Sequence, residues 1–210
     1  MTEAQSWERL EGRTVYTGYV HVRRDRYRLP DGSESDWDVV EIGDTVTVVA
    51  FTADDRIVLF DQYRVGPQRV LGELPGGLID DGEDALAAGV RELREETGYR
   101  PSAVFSAGAE WAAANASRRK HVLIAAGCEL VGEPVWGEHE NGRVRTIAAS
   151  ELVDHLTVGE ISDGGAAVRA LVVFARAAGV DAALVPLQHR VRELLTEPAQ
   201  ARPRDTGSGH

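Results

Sequence analysis

Acidic side chains are concentrated in one short segment, which contains Glu83, Arg91, Glu92, Glu95 and Glu96. Glu92 and Glu96 are four positions apart, so on a helix their carboxylates lie one above the other and repel each other. A hard divalent cation removes this repulsion, and Mg²⁺ is usually held by one or two carboxylates together with substrate phosphates. The segment therefore predicts a Mg²⁺ site for phosphate chemistry, with Mn²⁺ as an alternative ion.

A helix over residues 83–97 is predicted to carry these acids, and Gly98 is expected to end it as the C′ glycine. At about 100° per residue, the expected buried face is a stripe of Leu86, Val90, Leu93 and Thr97. Gly89 lies in mid-helix, where glycine costs about 1 kcal/mol relative to alanine. We therefore expect a compensating role for Gly89, such as room for a ligand.

The alternative is that this charge run is only a solvated helix face, which is the better explanation for an isolated Glu-Glu pair. The pattern here is longer, because it fixes Gly77, Glu83, Arg91, Glu92, Glu95, Glu96 and Gly98. Each of these residue types occurs at roughly 7% or less, so chance gives about 10⁻⁸ per start position. The spacing therefore argues for a functional motif.

Residues 77–99 resemble the Nudix box, G-x5-E-x7-R-E-U-x-E-E-x-G-U with U aliphatic. Every fixed position is present, and the last U is Tyr99. The resemblance implies an α+β fold, an α/β/α sandwich around a mixed β-sheet, in which the box forms loop, helix and loop. It also implies that Gly77, Glu83, Arg91 and Gly98 have structural roles within the box.

The same resemblance assigns metal ligands. It implies that Glu92 and Glu96 ligate the metal, that Glu95 is a further ligand in many members, and that the backbone carbonyl of Gly76 often joins them. Glu95 is also kept among the catalytic candidates. Glu83 is expected to hold the box together.

Three segments beyond the box, residues 46–50, 62–64 and 73–77, are similar to the ADP-ribose and nucleotide-sugar pyrophosphatase branch, as is the later segment 157–163. This resemblance implies Mg²⁺-dependent hydrolysis of the pyrophosphate of ADP-ribose, or of a related nucleoside diphosphate sugar, to a nucleoside monophosphate and a sugar phosphate. Residues 111–117 lack the proline of ADP-ribose members, which keeps open a preference for GDP-mannose or UDP-glucose. A non-catalytic Nudix-fold nucleotide-binding regulator is a third alternative, less favoured because the box glutamates remain.

Arg64, Glu73 and Arg118 are predicted to contact substrate. For Arg64 the alternative is a solvated strand end, and for Arg118 it is a salt-bridged surface. The general base is expected in an acidic loop after the box, where Glu140 is preferred to Glu138 and His139 is a third candidate. Trp37 and Trp111 are candidates to stack on a nucleotide base, with core or dimer packing as the alternative.

The net charge of −11 argues against nucleic acid or an anionic membrane as the main partner. Cys128 is the single cysteine, so no intramolecular disulfide forms, which fits a reducing compartment. No apolar run has the length of a membrane span, and residues 1–10 do not follow the order of a signal peptide. We expect a cytoplasmic protein whose partner is a small nucleoside diphosphate.

Three regions are expected along the chain. Residues 1–44 form an N-terminal β extension, which the resemblance places in a homodimer interface, and strands are predicted at residues 15–22 and 37–42. Residues 45–195 form the hydrolase domain. Residues 196–210 are rich in Pro, Gly, Ser and charge, and are expected to be disordered.

Overall fold

The computed structural model describes residues 5–137 and 141–197. The strands in this part of the chain are β1 Glu8–Thr17, β2 His21–Arg28, β3 Glu34–Glu41, β4 Thr45–Thr52, β5 Arg56–Arg64, β6 Arg69–Glu73, β7 Gly76–Leu78, β8 Tyr99–Arg100, β9 Ala103–Trp111, β10 Arg119–Leu130 and β11 Gly142–Ala148. The α-helices are α1 Ala85–Thr97, α2 Leu152–Thr157, α3 Gly164–Arg176 and α4 Val185–Leu194. No described helix is both long enough and apolar enough to cross a membrane.

The larger sheet is mixed. Its main path runs β11-β5-β4-β10-β8, with β6 beside β5, β7 beside β4 and β9 beside β10. Only the β4–β10 pair is parallel among the ladders of this sheet. β4 is buried along nearly its whole length, which explains its continuous apolar, β-branched sequence, because a strand covered on both faces does not alternate with polar residues.

Helices cover both faces of this sheet. On one face α1 packs Ala88 and Leu93 against Val46, Val48 and Leu123. On the other face α2, α3 and α4 close a larger core, whose central members are Val49, Leu59, Ile124, Leu152, Leu171, Phe174 and Val191. Successive residues of β4 thus point into different cores, as strand geometry requires. The arrangement confirms the predicted α/β/α sandwich around a mixed sheet.

The remaining strands, β1, β2 and β3, form a separate antiparallel sheet. The strand predicted over residues 15–22 is wrong, because β1 ends at Thr17 and β2 begins at His21 after a bend. One face of the sheet is a ladder of ion pairs, including Arg24–Asp38 at 2.8 Å and Arg26–Asp36 at 3.0 Å. A sheet with charge on a solvated face lacks the apolar alternation that marks a half-buried strand.

The opposite face of this small sheet buries a carboxylate. Asp25 is 0% exposed and pairs with Arg23 at 2.7 Å and Arg9 at 2.9 Å. Because these guanidinium groups favour the charged form, Arg23 above all, the pKa of the Asp25 carboxyl lies well below its usual range. A Cβ atom at Gly12 would come within 2.1 Å of Asp25 Oδ1, so glycine there makes room for the charge cluster.

Two details of the helices differ from expectation. α1 begins at Ala85 rather than Glu83, because the Asp84 side chain accepts from the N–H groups of Leu86 and Ala87 and caps the helix. Gly98 ends the helix in the left-handed region (φ 79°), as predicted. Ser150, a residue type common at helix N-caps, makes no side-chain cap to α2.

The predicted buried stripe of α1 is only partly right. Leu93 and Thr97 are buried, but Leu86 is 42% exposed. The face against the sheet is instead centred on Ala88, Gly89 and Leu93. A Cβ atom on Gly89 would lie 2.4 Å from Leu123 Cδ1, so this glycine allows close helix–sheet contact instead of leaving room for a ligand.

Candidate metal and substrate site

Arg91 organises the acids of α1. Its Nε and Nη2 atoms donate to the two oxygens of Glu83 at 3.0 and 2.8 Å. Its Nη1 atom donates to Glu92 Oε1 at 2.7 Å and to Glu95 Oε2 at 3.2 Å. These contacts raise the pKa of Arg91, and the Arg91 hydrogen bond lowers the pKa of Glu83. One planar guanidinium thereby fixes three carboxylates.

A further guanidinium contact ties this cluster to strand β7, since Arg91 Nη2 also donates to the carbonyl of Leu78 at 3.1 Å. The two glycines before Leu78 then approach the acids closely. The Gly76 N–H donates to Glu96 Oε2 at 2.8 Å, and a Cβ atom on Gly77 would lie 2.6 Å from Glu92 Cδ. The backbone of β7 therefore packs closely against Glu92 and Glu96, the two glutamates that were predicted to ligate the metal.

The three acids differ in exposure. Glu96 is 6% exposed, and the side chains of Glu92 and Glu95 are 13% and 47% exposed. Within the described ranges, no three Asp, Glu, His or Cys side chains form a cluster able to hold a metal ion alone. Mg²⁺ often uses one or two protein carboxylates and completes its shell with water and phosphate oxygens. The hard oxygen donors on α1 fit a cation held in that way.

The segment after β10 lies along the C-terminal end of α1. The Val135 N–H donates to the Glu95 carbonyl at 2.7 Å, and Trp136 Nε1 donates to the Glu96 carbonyl at 2.9 Å. These donors satisfy carbonyls that a helix end leaves without partners. The base candidates Glu138, His139 and Glu140 lie outside the described residues, and they follow Trp136 by two to four positions in the sequence.

A cleft of about 370 Å³ adjoins the acids of α1. Its wall includes Gly76 and Gly77, which also contact Glu96 and Glu92. All three residues predicted to contact substrate line this cleft, namely Arg64, Glu73 and Arg118. The fold thus brings Arg118 close to Arg64 and Glu73, which precede it by 54 and 45 positions in the sequence.

Glu73 is engaged by the protein itself. It is 2% exposed, and its Oε1 atom accepts from Arg64 Nε at 3.0 Å. Its Oε2 atom accepts from the N–H and hydroxyl of Ser162 at 3.0 and 2.9 Å. Both oxygens therefore serve to hold Arg64 and the start of α3 at the cleft, which makes Glu73 a positioning residue by its contacts.

Asp163 is of a residue type common at helix N-caps, but its side chain has other partners. Asp163 occupies the N-cap position of α3, but its carboxylate makes no cap hydrogen bond. Oδ1 instead pairs with Lys120 Nζ at 2.7 Å, and Oδ2 accepts from the Thr47 hydroxyl at 2.9 Å. The start of α3 is thus bound to β4 and β10 across the cleft.

Neither tryptophan suggested for base stacking lines the cleft. Trp111 lies under the Arg119 guanidinium, with 5.3 Å from Cζ to the ring centroid, and Trp37 packs on Trp7 with centroids 5.4 Å apart. Sequence reasoning did not select Tyr19, which lines the cleft and is 86% exposed. It follows β1 in the bend that the predicted strand over residues 15–22 concealed.

Comparison with known proteins identifies the family of this chain. The model of the NUDIX domain matches residues 41–165. An ADP-ribose pyrophosphatase of Mycobacterium tuberculosis is 39% identical over 98 residues, covering 46% of this chain and 47% of the relative. A hydrolase of Streptomyces rubellomurinus, named for CMP-5'-(N-acetyl-N-hydroxy-3-aminopropyl)phosphonate, is 31% identical over 146 residues, covering 69% of this chain and 70% of the relative.

The chain spans about half the length of the first curated relatives that it matches. A crystal structure titled as an ADP compounds hydrolase has the same fold, with a TM-score of 0.69 over 82% of this chain and 95% of the other. Its sequence identity of 20% makes it a comparison of fold alone.

Proposed function

Because this chain belongs to the NUDIX domain family, we propose that it hydrolyses the pyrophosphate bond of ADP-ribose or a related nucleoside diphosphate sugar. The products are a nucleoside monophosphate and a sugar phosphate. The observation that carries the proposal concerns Gly76 and Gly77. These two glycines contact Glu96 and Glu92, and they also line a cleft with three cationic side chains.

The cation for this reaction is proposed to be Mg²⁺, with Mn²⁺ as an alternative. Glu92, Glu95, Glu96 and the carbonyl of Gly76 would hold it. When bound, such an ion neutralises phosphate charge and favours attack by water. The protein itself orients the acids, because Arg91 binds Glu92 and Glu95. The hydrogen bond from the Gly76 N–H to Glu96 holds β7 against α1.

The guanidinium group of Arg64 lies at the cleft, where a hydrogen bond to Glu73 holds it in position. We propose that it contacts the diphosphate, since a guanidinium offers paired donors that match phosphate oxygens. The general base is proposed to be Glu140, in preference to Glu138, and both follow Trp136 in the sequence. A base must come within hydrogen-bond reach of the attacking water, and Trp136 contacts the C-terminal end of the acidic helix.

The direct test is a panel of ADP-ribose, GDP-mannose, UDP-glucose and dinucleoside polyphosphates, assayed with Mg²⁺, with Mn²⁺ and with EDTA. We expect metal-dependent release of AMP and ribose 5-phosphate from ADP-ribose. Glu96→Gln should abolish release, and the exposed Glu129→Gln should keep it. Release at the wild-type rate by Glu96→Gln would contradict the assignment of Glu96, and turnover of none of these compounds would contradict the function.

The relative from Streptomyces rubellomurinus suggests a second candidate substrate class. The relative from Streptomyces is named for a cytidine monophosphate joined to a phosphonate, and it aligns over 69% of this chain. Such a compound carries a phosphorus–oxygen–phosphorus linkage like that of a nucleotide sugar. A CMP-phosphonate belongs in the same panel, and a higher kcat/KM for it than for ADP-ribose would favour this class.

A homodimer is also proposed, with the sheet of β1, β2 and β3 at the interface. Three large aromatic side chains of this region are exposed, with Trp7 at 43%, Trp37 at 47% and Tyr16 at 57%. Contiguous exposed apolar side chains commonly mark interaction surfaces. Sedimentation equilibrium should give twice the chain mass, and a monomer throughout the micromolar range would refute the proposal.

A further inference from the structure

Three cationic side chains line the cleft, and two of them are already neutralised. Arg64 pairs with Glu73 at 3.0 Å and Lys120 pairs with Asp163 at 2.7 Å. Arg118 has no ion pair within residues 5–137 and 141–197, and its buried Nε atom lacks a hydrogen-bond partner there. Buried polar groups are normally satisfied, and Arg118 lines the cleft, so its guanidinium is a cation at the cleft without a partner among the described residues.

Arg118 immediately precedes β10, and it lines the cleft whereas its neighbour Arg119, the first residue of the strand, does not. Arg118 and Lys120 both line the cleft. Arg119 lies over the Trp111 ring and donates to the Ala109 carbonyl at 3.3 Å. The adjacent arginines thus have separate surroundings.

The backbone holds Arg118 in position. Its carbonyl accepts from the Ala112 N–H at 3.1 Å, which closes the loop between β9 and β10. The preceding Ser117 N–H donates to the Val40 carbonyl at 3.0 Å, which attaches the loop to β3. An arginine on a fixed backbone loses less conformational entropy when it binds an anion, so it can contribute strongly to affinity.

We propose that Arg118 is a specificity-determining residue, which selects substrates bearing an anionic group in addition to the diphosphate. Suitable groups are a phosphate monoester, a phosphonate or a carboxylate, because all three present the paired oxygens that a guanidinium binds. The inference rests on the proposed function for the location of the diphosphate. It adds the chemical class of the rest of the substrate.

The experiment compares pairs of ligands that differ by one anionic group. ADP-ribose 2′-phosphate is paired with ADP-ribose, which places the extra anion on the nucleoside. UDP-glucuronate is paired with UDP-glucose, which places it on the sugar. Affinities are measured by titration calorimetry in EDTA, so that binding is read without turnover and independently of the proposed hydrolysis.

We expect wild-type protein to bind the anionic member of at least one pair about tenfold to a hundredfold more tightly, the usual range for a hydrogen bond to a charged group. Arg118→Ala should bring that ratio close to one, and Arg118→Lys should restore part of it. Arg119→Ala is the matched control, which should leave the ratio as in wild type.

Three outcomes overturn the proposal. One is a wild-type ratio near one in both pairs, and another is a ratio that Arg118→Ala does not change. The third is an absence of binding by both anionic ligands at millimolar concentration. If Arg118 instead contacts the diphosphate itself, Arg118→Ala weakens both members of a pair equally, and this result also counts against the proposal. Loss of hydrolysis with an intact ratio would sink only the proposed function.

Discussion

The carboxylate of Glu92 lies directly over Gly77, where a Cβ atom would come within 2.6 Å of its Cδ atom. The box glycine and the box glutamate therefore constrain each other, although 15 positions separate them in the sequence. The hydrogen bond from the Gly76 N–H to Glu96 repeats this relationship one residue earlier. The spacing between the glycines and the glutamates of the motif is thus a consequence of β7 packing against one side of α1.

Gly77→Ala should displace the Glu92 carboxylate, because the added Cβ atom would lie only 2.6 Å from Glu92 Cδ. This displacement should impair the metal site. A misplacement on the order of 1 Å can cost about a hundredfold in rate, and we expect a loss of that size in kcat/KM for ADP-ribose. Gly66→Ala is the matched control, because it lines the same cleft and a Cβ atom there meets nothing within 4 Å. Equal activities of the two variants would contradict the packing argument.

Gly89→Ala provides a test in which the sign of the stability change decides. On helix propensity alone the substitution should stabilise the protein by about 1 kcal/mol. A Cβ atom there would contact Leu123 at 2.4 Å and Val46 at 3.1 Å, however, and overpacking a core costs about 1–3 kcal/mol. We expect a net loss near 1 kcal/mol in urea unfolding. A more stable variant would show that the contact relaxes freely.

Glu73→Gln should separate positioning from catalysis. The amide retains one acceptor oxygen, so either Arg64 or Ser162 loses its partner. Because Arg64 is then free to leave its position in the cleft, we expect KM to rise about tenfold, with a smaller change in kcat. Glu160→Gln is the control, since Glu160 is an exposed partner of Arg69 near the same cleft. A fall confined to kcat would instead place Glu73 in the chemical step.

Asp25→Asn should destabilise the three-stranded sheet. Hydrogen bonds to a charged group contribute about 1.5–3 kcal/mol, and Asp25 is fully buried while its partners Arg9 and Arg23 are 48% and 28% exposed. Tryptophan fluorescence can follow urea unfolding of this sheet, because Trp7 and Trp37 pack together beside it. Asp36→Asn, an exposed pair on the other face, should cost less than about 0.5 kcal/mol.

The same variant has a defined pH dependence. Folding lowers the pKa of Asp25 below its ordinary value of 3.8, so the folded state binds the proton less readily than the unfolded state. The stabilisation is complete at pH well above 3.8 and is lost as the pH falls through and below that value. The difference in stability between wild type and Asp25→Asn should therefore shrink on acidification. A constant difference between pH 7 and pH 3 would contradict the ion-pair assignment.

The sequence was informative where the determinants are local. The spacing of the box predicted α1 and its terminal Gly98, because a helix and its C-cap depend on residues within a few positions. The face that α1 buries was misjudged, since Gly89 is explained only by Leu123, which belongs to a distant strand. A helical wheel represents only the residues of α1, so it cannot predict the contact with Leu123 on β10.

Long-range partners account for the other differences. Asp163 has a residue type and position suited to a cap, but Lys120 and Thr47 take its carboxylate. β9 was not predicted because its alanines and glycine give a weak strand signal, and pairing with β10 determines its conformation. The convergence of Arg64, Glu73 and Arg118 on one cleft likewise depends on strand order, which spacing alone does not give.

The attachment of the β9–β10 loop to β3 has a kinetic consequence. Val40 exchanges hydrogen bonds with Asn115 and Ser117, and Arg118 is the next residue along the chain. A displacement of β3 should therefore be transmitted to the cleft wall within one peptide unit. If a second copy rests on that sheet, dilution below the dissociation constant should alter ligand discrimination as well as quaternary structure, and assays over a range of enzyme concentrations would reveal it as a departure from proportionality.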